Sequence, residues 1–205
     1  MTEVSTLISK DRLGVLIGED GKVKDRIERD LSVILNVNSD SGVVVIQAKD
    51  PEVNPLAVLK AKDVIAAIAR GFPPEKAFRL FDEDMMLDIL SLRELFGKSE
   101  SDIQRVKGRI IGRDGKSRRS IEEITQADLS IYGHTIGIIG NYDATSLARE
   151  GVEMLIKGRQ HATVFQYLRN RRREIKRKEK IELWEKPLES AEKQHPRSSK
   201  SRKLK

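Results

Sequence analysis

The sequence predicts an α+β protein: two tandem domains of one element order, β-α-α-β-β-α, with a basic extension behind them. Two observations carry this. Residues 14–28 and 108–122 align at a constant offset of 94, with eight of fifteen positions identical. An internal repeat has to be read before any single motif inside it, and this one means tandem units. The chain has 205 residues, enough for two compact cores joined closely.

In the first copy, Val4 to Ser9 is a short strand and Lys10 to Ile17 one or two helical turns. Gly18-Glu19-Asp20-Gly21 then turns the chain. Val23, Ile27 and Leu31 recur every four residues, one stripe of an amphipathic helix. Val33, Leu35 and Val37 alternate with polar neighbours, as a half-buried strand does. Asn38 to Gly42 is a turn by composition, and Val43 to Ile46 is its hairpin partner. A helix opens at Pro55 and runs to Arg70, with Gly71 placed to close it.

Phe72-Pro73-Pro74 breaks the chain between repeats. Glu75 to Leu80 is a short connecting helix, and Met86 to Leu92 opens the second copy as a strand. An insertion, Arg93 to Ser101, has no counterpart in the first copy. Ile103 to Ile111 is a helix, Gly112 to Gly115 the loop, Lys116 to Gln126 the next helix. Leu129 and Ile131 lie on one strand and Ile136 to Ile139 on its neighbour. Asp143 is the expected N-cap of a helix that buries Leu147, Gly151 or Val152, and Leu155. The resulting division is 1–72 and 86–168 for the domains, 73–85 for the connector and 169–205 for the tail. Leading into that tail, Val164, Leu168 and Ile175 extend the last helix; Arg169 to Lys180 is a charged helix or arm, and Ile181, Leu183 and Trp184 form an apolar island. From Lys186 onward the composition predicts disorder.

Charge is unevenly spread. The net charge is +7, yet residues 169–205 alone carry +9 and residues 1–168 sum to −2. Within the body, residues 105–119 carry +6 while the matching residues 11–25 carry −1. Only the second copy is suited to a polyanion. There is no cysteine, which excludes disulfides and thiolate metal sites. No apolar run approaches the roughly 20 residues a bilayer span needs. The N-terminus MTEVSTLISKDR lacks the layout of a secretory signal, so a soluble intracellular protein is expected, cytoplasmic, or nucleolar in a eukaryote.

Two glycines three apart free the backbone to turn tightly and let another backbone approach. The amides at the start of the following helix then face outward as donors for a phosphate. A helix pair joined by G-x-x-G, then a hairpin and a C-terminal helix, resembles the type I KH domain, from residue 1 to about residue 168. That resemblance implies a three-stranded antiparallel sheet with three helices on one face, and a groove for about four unpaired nucleotides. A short tandem chain with a basic second loop and a basic tail is more narrowly similar to the Dim-two, or partner-of-Nob-one, small-subunit ribosome assembly factors. It implies binding near the 3′ end of small-subunit pre-rRNA and partnership with the endonuclease that trims that end. For the first copy it implies contact with a translation initiation factor subunit.

Carried over by motif, Gly112, Arg113, Asp114 and Gly115 form the phosphate clamp and Lys116 flanks it. Arg113 offers a planar cation to phosphate. Ile110, Ile111 and Ile131 are expected on an apolar floor under the bases, with Lys107, Arg109, Arg118 and Arg119 as a basic rim. The plain alternative for these arginines is a solvated helix face. With nine aromatics in the chain, ring stacking is not the main grip on bases. In the first loop, Gly18, Glu19, Asp20, Gly21 and Lys22 place two carboxylates where the family favours a basic residue. Each repels a phosphate by about 1 kcal/mol in high dielectric. That loop is a weaker RNA site, a protein-docking site or a scaffold.

No catalytic constellation emerges. His134, His161 and His195 are scattered, the glycine loop lacks the P-loop spacing, and no nucleophile has a matched base. Asp82-Glu83-Asp84 beside the proline break reads as a solvated connector. No metal or cofactor is expected. The reading is a single-stranded-RNA-binding module. The alternatives are a protein–protein scaffold, or an RNA adaptor of a degradation or translation complex.

Overall fold

The computed structural model describes residues 3–50, 52 and 54–192, with side chains up to residue 181. The first half runs β1 (Glu3–Leu7), α1 (Lys10–Ile17), α2 (Lys22–Leu31), β2 (Val33–Val37), β3 (Val43–Ala48) and α3 (Pro55–Ala69). The connector is α4 (Pro74–Ala77) followed by a 3-10 turn, Phe78–Phe81. The second half runs β4 (Met86–Ser91), α5 (Leu92–Phe96), α6 (Glu100–Ile111), α7 (Lys116–Thr125), β5 (Asp128–Tyr132), β6 (Thr135–Gly140) and α8 (Tyr142–Ile156). The insertion read at residues 93–101 is therefore α5 and the opening of α6.

Each half holds a three-stranded antiparallel sheet, in the order β1-β3-β2 and β4-β6-β5. Strand alternation sends Leu35, Val44 and Ile46 into the first core, against Leu16 of α1, Ile27 of α2 and Ile65 of α3. Leu129, Ile136 and Ile138 do the same in the second, against Ile103, Ile121 and Val152. The identical Glu28 and Glu122 have one structural task. Glu28 accepts the Leu35 amide at 2.7 Å and Glu122 accepts the Leu129 amide at 2.9 Å, tying each second helix to the strand behind it.

The outer face of the second sheet is covered by the first half. Phe72, fully buried, lies against Gly137, where a Cβ would stand 2.6 Å from the ring. Ile139 and Leu87 pack into the first core rather than their own. Polar ties surround this contact. Arg12 donates to the carbonyls of Ile68 (2.8 Å) and Phe72 (2.6 Å), and its guanidinium sits 5.7 Å from the centre of the Tyr132 ring. Ser130 donates to the Arg70 carbonyl at 2.9 Å. Lys76 pairs with Asp128 at 2.7 Å, and Arg79 meets the same carboxylate.

Three expectations are corrected. The cap of α8 is Asn141, whose side chain accepts the Ala144 amide at 2.9 Å, and Asp143 lies inside the first turn. The last helix is also not extended by the tail. Gly158, at φ 84°, ends it, and a separate α9 (His161–Glu192) begins three residues later. This helix passes residue 168 unbroken, packs against α7 and α8, and buries Val164 and Leu168 in the second core. Gly151 of α8 makes room for Leu168, which stands 2.9 Å from where a Cβ would be. The backbone from 186 to 192, read as disordered, is helical, and 193–205 lie outside the described residues. Ile181 is exposed, and the Leu183 and Trp184 side chains lie outside the described ones.

Candidate nucleic-acid interface

Gly112 ends α6 at φ 71°, ψ 176°, a region open essentially to glycine alone. A Cβ there would stand 2.6 Å from the Ser117 Cβ, so the small Ser117 and the bare Gly112 close the turn together. Asp114 follows in the left-handed region at φ 52°, ψ 29°, which aspartate tolerates better than most residues. Gly115, at φ 72°, has open space where a side chain would be. No side chain caps α7: the Lys116 amide donates to the Arg113 carbonyl within the turn, and the N-terminus of the helix faces the mouth of the loop without a side-chain partner.

The first loop has the same backbone. Gly18 sits at φ 75°, ψ 179°, Asp20 at φ 54°, ψ 27° and Gly21 at φ 80°, ψ 0°. No side chain caps α2 either. The two loops differ in what they display: Glu19 is exposed where Arg113 is exposed in the second copy. Lys22 stands 3.5 Å from the Asp20 carboxylate and offsets part of that charge.

The cations of the second copy are not equivalent. Arg113 and Lys116 are exposed and have no ion-pair partner among the described residues. Arg119 folds back to donate to the Asp114 carbonyl at 2.8 Å, bracing the loop. Arg118 lies 3.7 Å from Glu122. Lys107 donates to the Gly133 carbonyl at 3.0 Å, tethering α6 to the β5–β6 turn. Arg109 is turned away from the loop: it donates to the carbonyls of Leu155 (3.3 Å) and Arg159 (2.7 Å), closing the end of α8. Ile110 is fully buried in the second core and shows no surface to a base, so it supports the floor from beneath. Ile111 and Ile131 are half-buried and keep part of their surface.

One pair of residues escaped the sequence reading although the repeat displayed it. Gly14 and Gly108 lie inside α1 and α6, neither needs a positive φ, and a Cβ at either would meet nothing within 4 Å. Glycine inside a helix costs about 0.5–1 kcal/mol relative to alanine. Nothing within the fold requires that cost.

Comparison with known proteins adds an independent line. A model described as a eukaryotic type KH-domain (KH-domain type I), that of the second KH domain of PNO1, matches residues 86–173. The chain is 45% identical over 179 residues to the KH domain-containing protein MJ0443 of Methanocaldococcus jannaschii, covering 87% of this chain and 78% of that one. It is 31% identical over 117 residues to the pre-rRNA-processing protein PNO1 of Chaetomium thermophilum, covering 55% of this chain and 44% of PNO1. A chain in the a/eIF2alpha–aDim2p–rRNA complex of Pyrococcus horikoshii OT3 superposes with a TM-score of 0.79 at 41% identity, over 84% of this chain and 95% of that one.

Proposed function

The chain belongs to the KH-domain proteins of the Dim2/PNO1 type, and from that premise we propose that it is a ribosome assembly factor that binds single-stranded RNA near the 3′ end of small-subunit pre-rRNA. The second half carries the principal site. One observation supports this most directly: Arg113 and Lys116 stand exposed on a left-handed glycine turn whose following helix has no side-chain cap. A phosphate placed there meets amide donors, a helix N-terminus and two cations at once. Half-buried Ile111 and Ile131 supply apolar surface for bases, and recognition runs through backbone and polar groups.

The first half admits a second reading, favoured by its backbone. A loop with the same dihedral angles, no capping side chain and the same bare helix glycine is built to receive a chain at close range. We read it as a contact for a further stretch of the same RNA, held by amides rather than cations. Likeness to the Pyrococcus complex supports rRNA and the initiation factor subunit a/eIF2alpha as partners of this chain. The endonuclease that trims the 3′ end is proposed as a further partner.

Affinity of the full chain for a short single strand ending in the small-subunit 3′ sequence tests the reading. Arg113→Asp with Lys116→Asp is expected to weaken binding at least about tenfold, or 1.4 kcal/mol. Undiminished binding by that variant overturns the assignment to the second loop.

A further inference from the structure

Along α9, Arg169, Arg173, Lys176, Arg177 and Lys180 recur at i, i+4, i+7, i+8 and i+11, one face of a helix. All five are exposed, and none has an ion-pair partner among the described residues. Val164, Leu168 and Ile175 occupy the opposite side, packed on the second core. The two acids of this segment, Glu174 and Glu179, lie off the stripe. A merely solvated helix interleaves signs so that i,i+4 neighbours attract. Here Arg169–Arg173, Arg173–Arg177 and Lys176–Lys180 are like-charged pairs at that spacing, each destabilising for the helix alone. The stripe spans about 16 Å at about 1.5 Å per residue. It is held in a fixed direction, because α9 packs against α7, the helix that rises from the Gly112–Gly115 loop.

We propose that this stripe binds the phosphate backbone of an RNA duplex continuous with the single strand held at the second glycine loop. The inference rests on the RNA reading above and extends it. A rigid, straight row of cations without an aromatic offers no platform for unpaired bases. It matches phosphates already set in a regular path, and double-stranded RNA is recognised by shape and backbone in this way. The protein then grips a junction: unpaired nucleotides in the groove, the adjoining stem along α9.

The test uses the full chain and two RNAs sharing one single-stranded 3′ segment. In one the segment adjoins a hairpin stem of one helical turn; in the other it adjoins unpaired nucleotides of equal number. The wild type is expected to bind the stem-bearing RNA roughly tenfold more tightly, with a steeper dependence on salt. Arg173→Gln, Lys176→Gln, Arg177→Gln and Lys180→Gln, combined, are expected to abolish that preference. They lower the log–log salt slope for the stem-bearing RNA by about three to four. Affinity for the unpaired RNA and the helical circular dichroism stay unchanged. Equal wild-type affinity for both RNAs, or an equal loss on both in the variant, overturns the duplex assignment and leaves the RNA reading standing. Failure of the wild type to bind either RNA overturns the RNA reading itself.

Discussion

The ring of Phe72 rests on Gly137 so closely that a Cβ on the glycine would stand 2.6 Å from Cε2. The first sheet has no such vacancy. Gly137 pairs with Ser130 as Val45 pairs with Asn36, so the glycine replaces a valine on the outer face of the second sheet. Gly137→Ala is therefore expected to destabilise the protein by about 1–3 kcal/mol through overpacking. Phe72→Ala is expected to cost about 3–5 kcal/mol, as aromatic truncations in cores do. Urea unfolding of both variants decides it. An unchanged midpoint for Gly137→Ala would show that the halves adjust to one another without strain.

Glu28 and Glu122 give a matched pair of predictions. Each accepts a strand amide from Leu35 or Leu129, both buried residues. Removing the acceptor leaves a part-buried donor unpaired, at about 1–3 kcal/mol. Glu28→Ala should fall in that range, and Glu28→Gln, which keeps an acceptor oxygen, should cost clearly less. Glu122→Ala should cost more than Glu28→Ala, because two cations, Lys76 and Arg118, lose a partner there, whereas Glu28 pairs with Lys24 alone among the described residues. Equal losses for Glu28→Gln and Glu28→Ala would mean that the Leu35 amide finds another acceptor.

The local order of the fold was legible in the sequence, because it follows from short-range rules. Val23, Ile27 and Leu31 mark a helix at a spacing of four, Val33, Leu35 and Val37 alternate, and the glycine turns announce themselves by type. What escaped depends on distance or on a choice between equals. Asn141 and Asp143 are both competent caps, and only the path of the backbone selects the first. The break before α9 rests on one left-handed glycine, Gly158, in a stretch whose apolar spacing continues regardless. Arg109 stands beside the loop in sequence, yet its side chain closes a helix end 46 and 50 residues away. Phe72 on Gly137 is a long-range contact that no local pattern encodes.

Lys76 gives a prediction with a definite sign in pH. Burial opposes its charge, but hydrogen bonds and attraction from Asp128 and Glu122 outweigh that and raise its pKa. A lysine raised in the folded state contributes stability that is fully present below its unfolded value of about 10.4. That contribution is lost as pH rises through the folded value. The melting-temperature gap between wild type and Lys76→Met should thus be constant from about pH 6 to 9 and close above about pH 10.5. The side chain is 40% exposed, so added salt should narrow the gap as well. A gap that instead varies between pH 6 and 8 would assign the effect to other groups.

The helix glycines separate stability from binding. Gly108→Ala fills open space in α6 and should raise stability by about 0.5–1 kcal/mol. If RNA is held at the second loop as proposed, the same methyl intrudes on the close approach of its backbone, so affinity should fall roughly tenfold, or about 1.4 kcal/mol. Gly14→Ala should stabilise α1 by a similar amount. With RNA in both grooves, it should weaken a strand long enough to reach both and leave a strand of about four nucleotides unaffected. Melting temperature and RNA affinity measured on the same samples read both effects. Stability and affinity rising together in Gly108→Ala would end the argument that these glycines serve the ligand. Unchanged affinity of Gly14→Ala for the long strand, with stability raised, would leave the first groove to a partner other than RNA.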